Sequence, residues 1–318
     1  MNPRIALASI VACAGLTATP IVSADEGGVS FWMPGQYASF VAAPGDPGWS
    51  LGVVYYHATS DAGGAQRFPR GGRIVAGLDV RADLLVLAPT YALSSPVAGG
   101  QLAFSIAGYV GRADVETTAT FQGPRGNTFD TGLRDSREGI GDLYPSVSLK
   151  WNDGNHNTMV YAMAGVPVGA YSADRLANLG TNHWSLDAGG GYTYLDSSKG
   201  REFSAALGVT HNWENPDTDY RNGVSVHLDW AASQFLSETT HVGLAGYFYH
   251  QLTGDSGAGA VLGDFKSRVA GIGPQAGYFF PMGAHKGYVN FKGIYEFDAE
   301  NRPSGWNTWV TLAIPLGK

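Results

Sequence analysis

The sequence is short of three things. Its 318 residues contain one cysteine, Cys13, close to the N-terminus. The remainder of the chain therefore has no disulfide, no thiol nucleophile and no cysteine metal site. Charge is also scarce: 15% of residues are charged, against roughly 25% in a typical soluble domain. The balance is acidic, with 20 Lys and Arg against 27 Asp and Glu, so no basic footprint exists and no nucleic acid is expected as a partner. Long apolar runs are missing too. After residue 24 nothing approaches the roughly 20 apolar residues of a membrane-spanning helix. If that part of the chain lies in a membrane, it must close into a barrel, because open backbone cannot be satisfied in lipid.

Motifs for chemistry are equally thin. The eight histidines show no HExxH or paired metal spacing, and no cofactor or metal is expected. Asp217 and Asp219 share a loop without EF-hand spacing, which fits solvated acids better than a calcium site. The glycine-rich stretch 257–263 is not part of a βαβ unit and is no nucleotide loop.

What is abundant is glycine (45) and aromatics: 16 Tyr, 14 Phe and 8 Trp. Low charge with many aromatics fits a sheet that has one face in lipid and aromatic girdles at its rims. Residues 1–24 read as an export signal. Arg4 supplies the positive start, Ile5 to Leu16 is apolar or small, and Val22-Ser23-Ala24 offers a small-residue cleavage pattern. Ile10-Val11-Ala12-Cys13 looks like a lipoprotein box, but a standard cleavage site follows it, so the expected mature start is Asp25.

Period-2 alternation recurs along the remainder. Phe203, Ala205, Leu207, Val209 and Trp213 share one face, while Glu202, Ser204, Thr210 and Asn212 share the other. Val224, Val226, Leu228 and Trp230 alternate with Ser225, His227 and Asp229. The expectation is an all-β fold, a closed antiparallel transmembrane barrel of twelve strands. They fall roughly at 49–58, 73–93, 101–119, 139–151, 156–168, 183–195, 201–213, 221–234, 240–252, 267–280, 287–298 and 305–315. Links after even strands are short, such as 152–155 and 197–200. Those after strands 1, 3, 5, 7 and 9 are longer, such as 120–138, 169–182 and 253–266. That sorting is the pattern of short periplasmic turns and longer extracellular loops, with both termini in the periplasm. The chain divides into the signal peptide 1–24, an N-terminal segment 25–48 and the barrel 49–318.

The polar faces should point into the lumen. Lys150, Asp187, Glu202, His227, Asp229, Arg268, Lys292, Glu296 and Asp298 are the expected lumen residues. They either line a pore, where rings of charge set selectivity, or pair into salt bridges that stiffen a filled barrel. Twelve strands lie between a filled interior and an aqueous channel, so both remain open. In segment 25–48, Phe31, Trp32, Tyr37 and Phe40 are too many aromatics for a free tail. They fold into the lumen as a plug or into a short helix under the periplasmic mouth. Trp49, Trp151, Trp184, Trp213, Trp230, Trp306 and Trp309 fall near strand ends and read as an interfacial girdle.

Several local motifs resemble one family. Ser30-Phe31-Trp32-Met33-Pro34-Gly35-Gln36, Pro47-Gly48-Trp49-Ser50, Gly141-Asp142-Leu143-Tyr144-Pro145, Asn215-Pro216-Asp217-Thr218-Asp219-Tyr220 and Gln251-Leu252-Thr253-Gly254-Asp255-Ser256-Gly257 are similar to the family labelled "MetA-pathway of phenol degradation". The resemblance covers nearly the whole chain after residue 24. It implies an outer-membrane barrel of a Gram-negative bacterium, in contact with outer-membrane lipid and lipopolysaccharide. The implied function is a channel or transporter for small hydrophobic or aromatic solutes. The resemblance implies no catalytic residues. Two other classes stay open: a structural, non-conducting barrel, and a lipid hydrolase using His211 or His250, both at apolar-face positions. Oligomeric state and direction of transport are not legible. One departure from outer-membrane barrels is the C-terminus, which ends Pro315-Leu316-Gly317-Lys318 and not in an aromatic residue.

Overall fold

A computed structural model of the chain describes residues 31–70, 73–122, 128–261, 263 and 266–317. The expected export signal, residues 1–24, lies outside the described residues. Twelve antiparallel strands close into one barrel, in which each strand pairs with its sequence neighbours and β1 pairs with β12. They are β1 (Gly48–Arg70), β2 (Arg73–Ala92), β3 (Gln101–Gln122), β4 (Thr128–Asp153), β5 (His156–Gly165), β6 (Ser185–Asp196), β7 (Arg201–Asn212), β8 (Ser225–Phe235), β9 (Thr240–Gln251), β10 (Arg268–Met282), β11 (His285–Glu300) and β12 (Ser304–Gly317). No helix occurs among the described residues. Closure leaves no unpaired edge, which is what lipid demands of a sheet.

The alternation sorts the faces as its chemistry requires. In β8, Ser225, His227 and Asp229 are buried inside the barrel, and the residues between them face out. Leu87, Ile106, Val160, Leu207, Phe248 and Phe291 each expose about half of their surface on the outer wall, in an apolar belt suited to hydrocarbon. Trp49, Trp184, Trp213 and Trp306 also face outward. Trp309 does not. It is 3% exposed and points inward, because the alternation of β12 puts it on the face of Asn307.

The two ends of the barrel differ. One carries short turns at 93–100, 154–155, 197–200, 236–239 and 283–284. The other carries the loops 166–184, 213–224 and 252–267. After β1 and β3 the expected long loops are instead extensions of the strands themselves. β1 continues to Arg70 and β4 begins at Thr128, well beyond the expected 58 and 139. The reason lies in the register. The row Tyr55, Leu85, Val110, Ile140 is the last apolar one on the outer wall. Above it come His57, Asp83, Arg112, Glu138, then Thr59, Arg81, Asp114, Ser136, then Asp61, Asp79, Glu116, Arg134. Opposite charges meet across and along these rows: His57 Nδ1 lies 2.7 Å from Asp83, Arg112 lies 2.7 Å from Asp114 and 3.0 Å from Glu138, and Arg134 bonds Glu116. This wall projects past the apolar belt as paired sheet without apolar alternation, so hydrophobic pattern alone ends these strands too early.

Candidate functional site

Residues 31–44 run inside the barrel as irregular chain, and residues 45–47 emerge, exposed, at the short-turn end. Two turn bonds serve their own backbone, Gln36 N–H to Met33 O and Ala43 N–H to Phe40 O, both 3.0 Å. Much of the remaining backbone polarity is satisfied by side chains of the barrel wall, as burial demands. Gly35 N–H donates to Asp229 Oδ1 at 2.9 Å, and Tyr37 N–H to Asp229 Oδ2 at 3.0 Å. Phe40 N–H donates to Glu202 Oε1 at 3.2 Å and to Ser204 Oγ at 2.9 Å, and Ala42 N–H to Thr193 Oγ1 at 3.1 Å. The carbonyls are met by cations: Lys292 Nζ donates to Gly35 O and, at 3.3 Å, to Tyr37 O, while Lys150 Nζ donates to Ala43 O at 3.3 Å. Gln101 bonds both the N–H and the C=O of Gly45.

Side chains supply the drive. Trp32 is fully buried and Phe31 nearly so; Trp32 stacks on His227 with centroids 3.5 Å apart. Burying each such ring is worth about 1.5–3 kcal/mol, similar to one hydrogen bond to a charged group at about 1.5–3 kcal/mol. Rings bring the segment in, and the charged bonds fix its register. Gly35 is required where it sits. Its φ is +86°, and an added Cβ would lie 2.9 Å from the Tyr247 ring. Burial, with Asp187 and Asp229 nearby, pushes the Tyr37 phenol above its usual pKa, so it stays neutral.

The expected lumen residues separate into four groups. Lys150, Glu202, Asp229 and Lys292 hold the N-terminal segment. Asp187 and His227 pair at 2.9 Å, both fully buried, with Thr210 donating to Asp187 at 2.6 Å. Glu296 accepts from Tyr247 Oη at 2.7 Å and from Gly305 N–H at 3.0 Å. Arg268 and Asp298 are not in the lumen. Arg268 pairs with outward His250 in the ladder and reaches Asp298 at 3.3 Å and Glu300 at 3.2 Å. The extrapolated alternation fails there because the β10–β11 register shifts at Arg268/Ala270 and Asp298 takes a positive φ of 52°.

Sequence reasoning missed a second inner element. Loop 166–184 folds inward and not away from the barrel. Asp142, 1% exposed, accepts Gly169 N–H, Thr181 N–H and Thr181 Oγ1, each at 2.8 Å. Asp135 accepts Leu176 N–H and Ala177 N–H at 3.0 Å and binds Arg175. Leu176 and Ala177 pack on Leu78 and Val115, and Leu179 packs on Leu84 and Ala113. A bulge makes this possible. The β3–β4 register shifts between Gly108 and Val110, so that Gly141 and Asp142 are both buried while Leu143 faces out. Gly141 leaves room for the Tyr109 ring, which lies 2.0 Å from where its Cβ would be. Tyr109 Oη then donates to Leu179 O at 2.5 Å. The Gly141-Asp142 pair inside an apolar strand was the available signal: an acid without an obvious partner next to a glycine.

Between the N-terminal segment and this loop lies a cavity of about 130 Å³. Trp32, Tyr56, Leu84, Tyr109, Tyr144 and Leu179 form its apolar wall, and Glu296, Arg302 and Asn307 its polar side. The cavity reaches the outer wall at Thr59 and Trp306. There the β11–β12 ladder stops at Tyr295↔Trp306, and the Glu296 carboxylate bonds Gly305 N–H where backbone pairing has ended. A second cavity, about 950 Å³, opens at the short-turn end beside Phe40, Phe235, Phe279 and Tyr288, with Lys199 and Lys286 at its edge.

Neither His211 nor the Ser185–His183–Asn212 cluster has the arrangement of a hydrolase triad. His211 meets Trp213 edge-on at 4.8 Å on the outer wall. Ser185 does sit beside His183 (3.3 Å) and Asn212 (2.8 Å), but inside the barrel. His183 Nδ1 faces the Trp184 carbonyl at 3.0 Å, so it carries the proton and cannot accept one from Ser185. Burial in loop 166–184 also lowers the His183 pKa, favouring the neutral ring.

No curated protein matches the sequence significantly. Among solved structures, the COG4313 outer membrane channel from Pseudomonas putida F1 is similar, with 18% identity and a TM-score of 0.67 over 86% of this chain and 98% of that one. A FadL homologue from Pseudomonas aeruginosa gives 8% identity and a TM-score of 0.41, covering 83% of this chain and 89% of that one. The translocator domain of the autotransporter NalP from Neisseria meningitidis gives 8% and 0.45, covering 86% and 91%. The first likeness establishes a shared barrel fold. The family model for the MetA-pathway of phenol degradation matches residues 63–312, most of the barrel wall, and the chain therefore belongs to that family.

Proposed function

We propose that the protein is an outer-membrane channel that takes up small hydrophobic, chiefly aromatic, solutes and that residues 31–47 are its plug. The observation that carries this reading is the cavity of about 130 Å³ walled by aromatic rings between plug and loop 166–184. An apolar cavity of about 150 Å³ is large enough to bind benzene, so the space suits one ring. Its contact with the outer wall at Thr59 and Trp306, where the exposed Tyr295 and Trp306 rings border the charged rows, gives an apolar solute a lateral way in at the upper edge of the apolar belt. The family's description and the similar Pseudomonas putida outer membrane channel support the same assignment. In this reading the short-turn end is periplasmic, residues 1–24 are cleaved before assembly, and Lys150, Glu202, Asp229 and Lys292 are the plug's receptor and not a selectivity ring.

A sealed structural barrel is the second reading, favoured by the number of bonds that hold residues 31–47 in the lumen. Two measurements separate them. The first is uptake of radiolabelled toluene by Gram-negative cells that express the barrel, whose lipopolysaccharide leaflet otherwise slows such solutes. The second is liposome swelling with a graded sugar panel, on the whole barrel and on a variant lacking residues 31–44. The channel reading expects faster toluene uptake and a wider sugar range after deletion. Equal uptake with and without folded barrel, and no swelling by either form, supports the structural reading.

A further inference from the structure

Phe40 sits in a cage of four rings at the short-turn end. Its ring lies 5.4 Å from His241, 5.5 Å from Phe279, 5.7 Å from Tyr288 and 6.1 Å from Phe235. Three of these contacts are edge-on, at 88°, 62° and 84°, the geometry that ring quadrupoles favour. The four wall rings also touch one another, with Phe279–Tyr288 at 4.6 Å and Phe235–His241 at 5.3 Å. His241 is fully buried and faces Tyr288 Oη at 3.0 Å.

The residue that fills it does so at a cost. Phe40 has a φ of +67°, a left-handed conformation that bulky residues rarely adopt. It is also joined directly to the plug's anchors. Its own N–H is held by Glu202 and Ser204, the Ser39 hydroxyl donates to Glu202 at 2.8 Å, and Ala42 N–H is held by Thr193. The large cavity at this end touches Phe40, Phe235, Phe279 and Tyr288, so a solute has room to approach the cage from beside its occupant.

We infer that the cage of Phe235, His241, Phe279 and Tyr288 is a binding site for the aromatic ring of a small solute, and that Phe40 occupies it as an internal competitor. This rests on the channel reading above and extends it. The solute and Phe40 cannot both lie in the cage. A bound solute therefore expels Phe40, relieves its left-handed backbone and loosens the bonds at Phe40 and Ala42. Release of the plug is thus coupled to arrival of an aromatic solute and not of an aliphatic one of equal size, which gains less from four ring edges and faces.

The test uses toluene and cyclohexane as probes on the full barrel in detergent, read by residue-resolved amide exchange and by calorimetric binding. Saturating toluene should raise exchange at Phe40 and Ala42 about tenfold or more, as local opening does; cyclohexane should raise it far less. Phe279→Leu and Tyr288→Leu keep apolar bulk, and each should abolish the toluene effect while the barrel stays folded. Phe40→Gly empties the cage and suits the positive φ, so it should bind toluene about tenfold tighter than the parent, by removing the competing state. Unchanged exchange at Phe40 and Ala42 under saturating toluene overturns the inference, and so does a Phe40→Gly barrel that binds toluene no tighter. Cell uptake keeps the two ideas apart. Toluene uptake without amide release overturns the competition and leaves the channel standing. Amide release without uptake supports the competition and counts against the channel.

Discussion

Asp229→Asn should loosen the inner segment without disturbing the barrel. The carboxylate of Asp229 accepts two backbone bonds, from Gly35 N–H at 2.9 Å and Tyr37 N–H at 3.0 Å. An amide keeps the shape but offers one oxygen; its NH₂ group would face the second N–H donor to donor. One charged hydrogen bond is lost, worth about 1.5–3 kcal/mol, which corresponds to roughly 10- to 150-fold in the docking equilibrium. The change also removes the only carboxylate that grips the same two residues as Lys292, whose ammonium is buried over Trp309 at 4.8 Å. That second effect adds to the loss, because the buried Lys292 ammonium, still bonded to Gly35 O and Tyr37 O, loses a nearby negative charge. Strand ladders should be unaffected, since Asp229 pairs with Ala206 and Tyr247 through the backbone. The assay is amide exchange at Gly35 and Tyr37 beside exchange in β8. Faster exchange at the first two by one to two orders of magnitude, with β8 unchanged, is the expected result. If Gly35 and Tyr37 exchange at the parent rate, Asp229 does not hold the segment and the reasoning fails.

Three further outcomes follow from the same geometry. Gly35→Ala places a Cβ against the Tyr247 ring at positive φ; it should weaken docking by about 1–3 kcal/mol, seen as protease sensitivity of residues 31–47 in an intact barrel. Asp142→Ala removes three acceptor bonds to Gly169 and Thr181; loop 166–184 should lose about 3 kcal/mol or more of local stability, read as amide exchange at those residues, with faster solute entry. Arg268→Ala should change thermal stability by less than about 0.5 kcal/mol and leave permeation untouched, because its ion pairs with Asp298 and Glu300 lie exposed on the outer wall; a clear change in solute selectivity would return Arg268 to the lumen.

The wall of this barrel was legible because lipid enforces a strict rule: wherever one face meets hydrocarbon, the period-2 pattern has to appear, as it does at Phe203–Val209 and Val224–Trp230. It became illegible where that rule lapses. The outer faces of β1–β4 above Tyr55 and Leu85 carry paired charges, and the apolar pattern stops β1 at 58 and starts β4 at 139, each more than ten residues short of the observed end, while β2 and β3 are bounded to within about three residues. The inward direction of Lys150, Asp187, Glu202, His227, Asp229, Lys292 and Glu296 followed from alternation. Their partners did not, since a contact such as Lys292 with Gly35 spans 257 positions and no local pattern encodes it. Asp142 was hidden by the bulge, which breaks the alternation at the one place where the wall reaches out to hold a loop.

The receptor for residues 31–47 has a consequence for assembly. Its groups come from Gln101 on β3, Lys150 on β4, Thr193 on β6, Glu202 and Ser204 on β7, Asp229 on β8 and Lys292 on β11. No subset of early strands presents them together. The stretch that is synthesised before the whole wall must therefore wait for nearly all of it to zip up, and it finds its place last. Until β11 is in place, the carbonyls of Gly35 and Tyr37 lack the ammonium that meets them in the closed barrel.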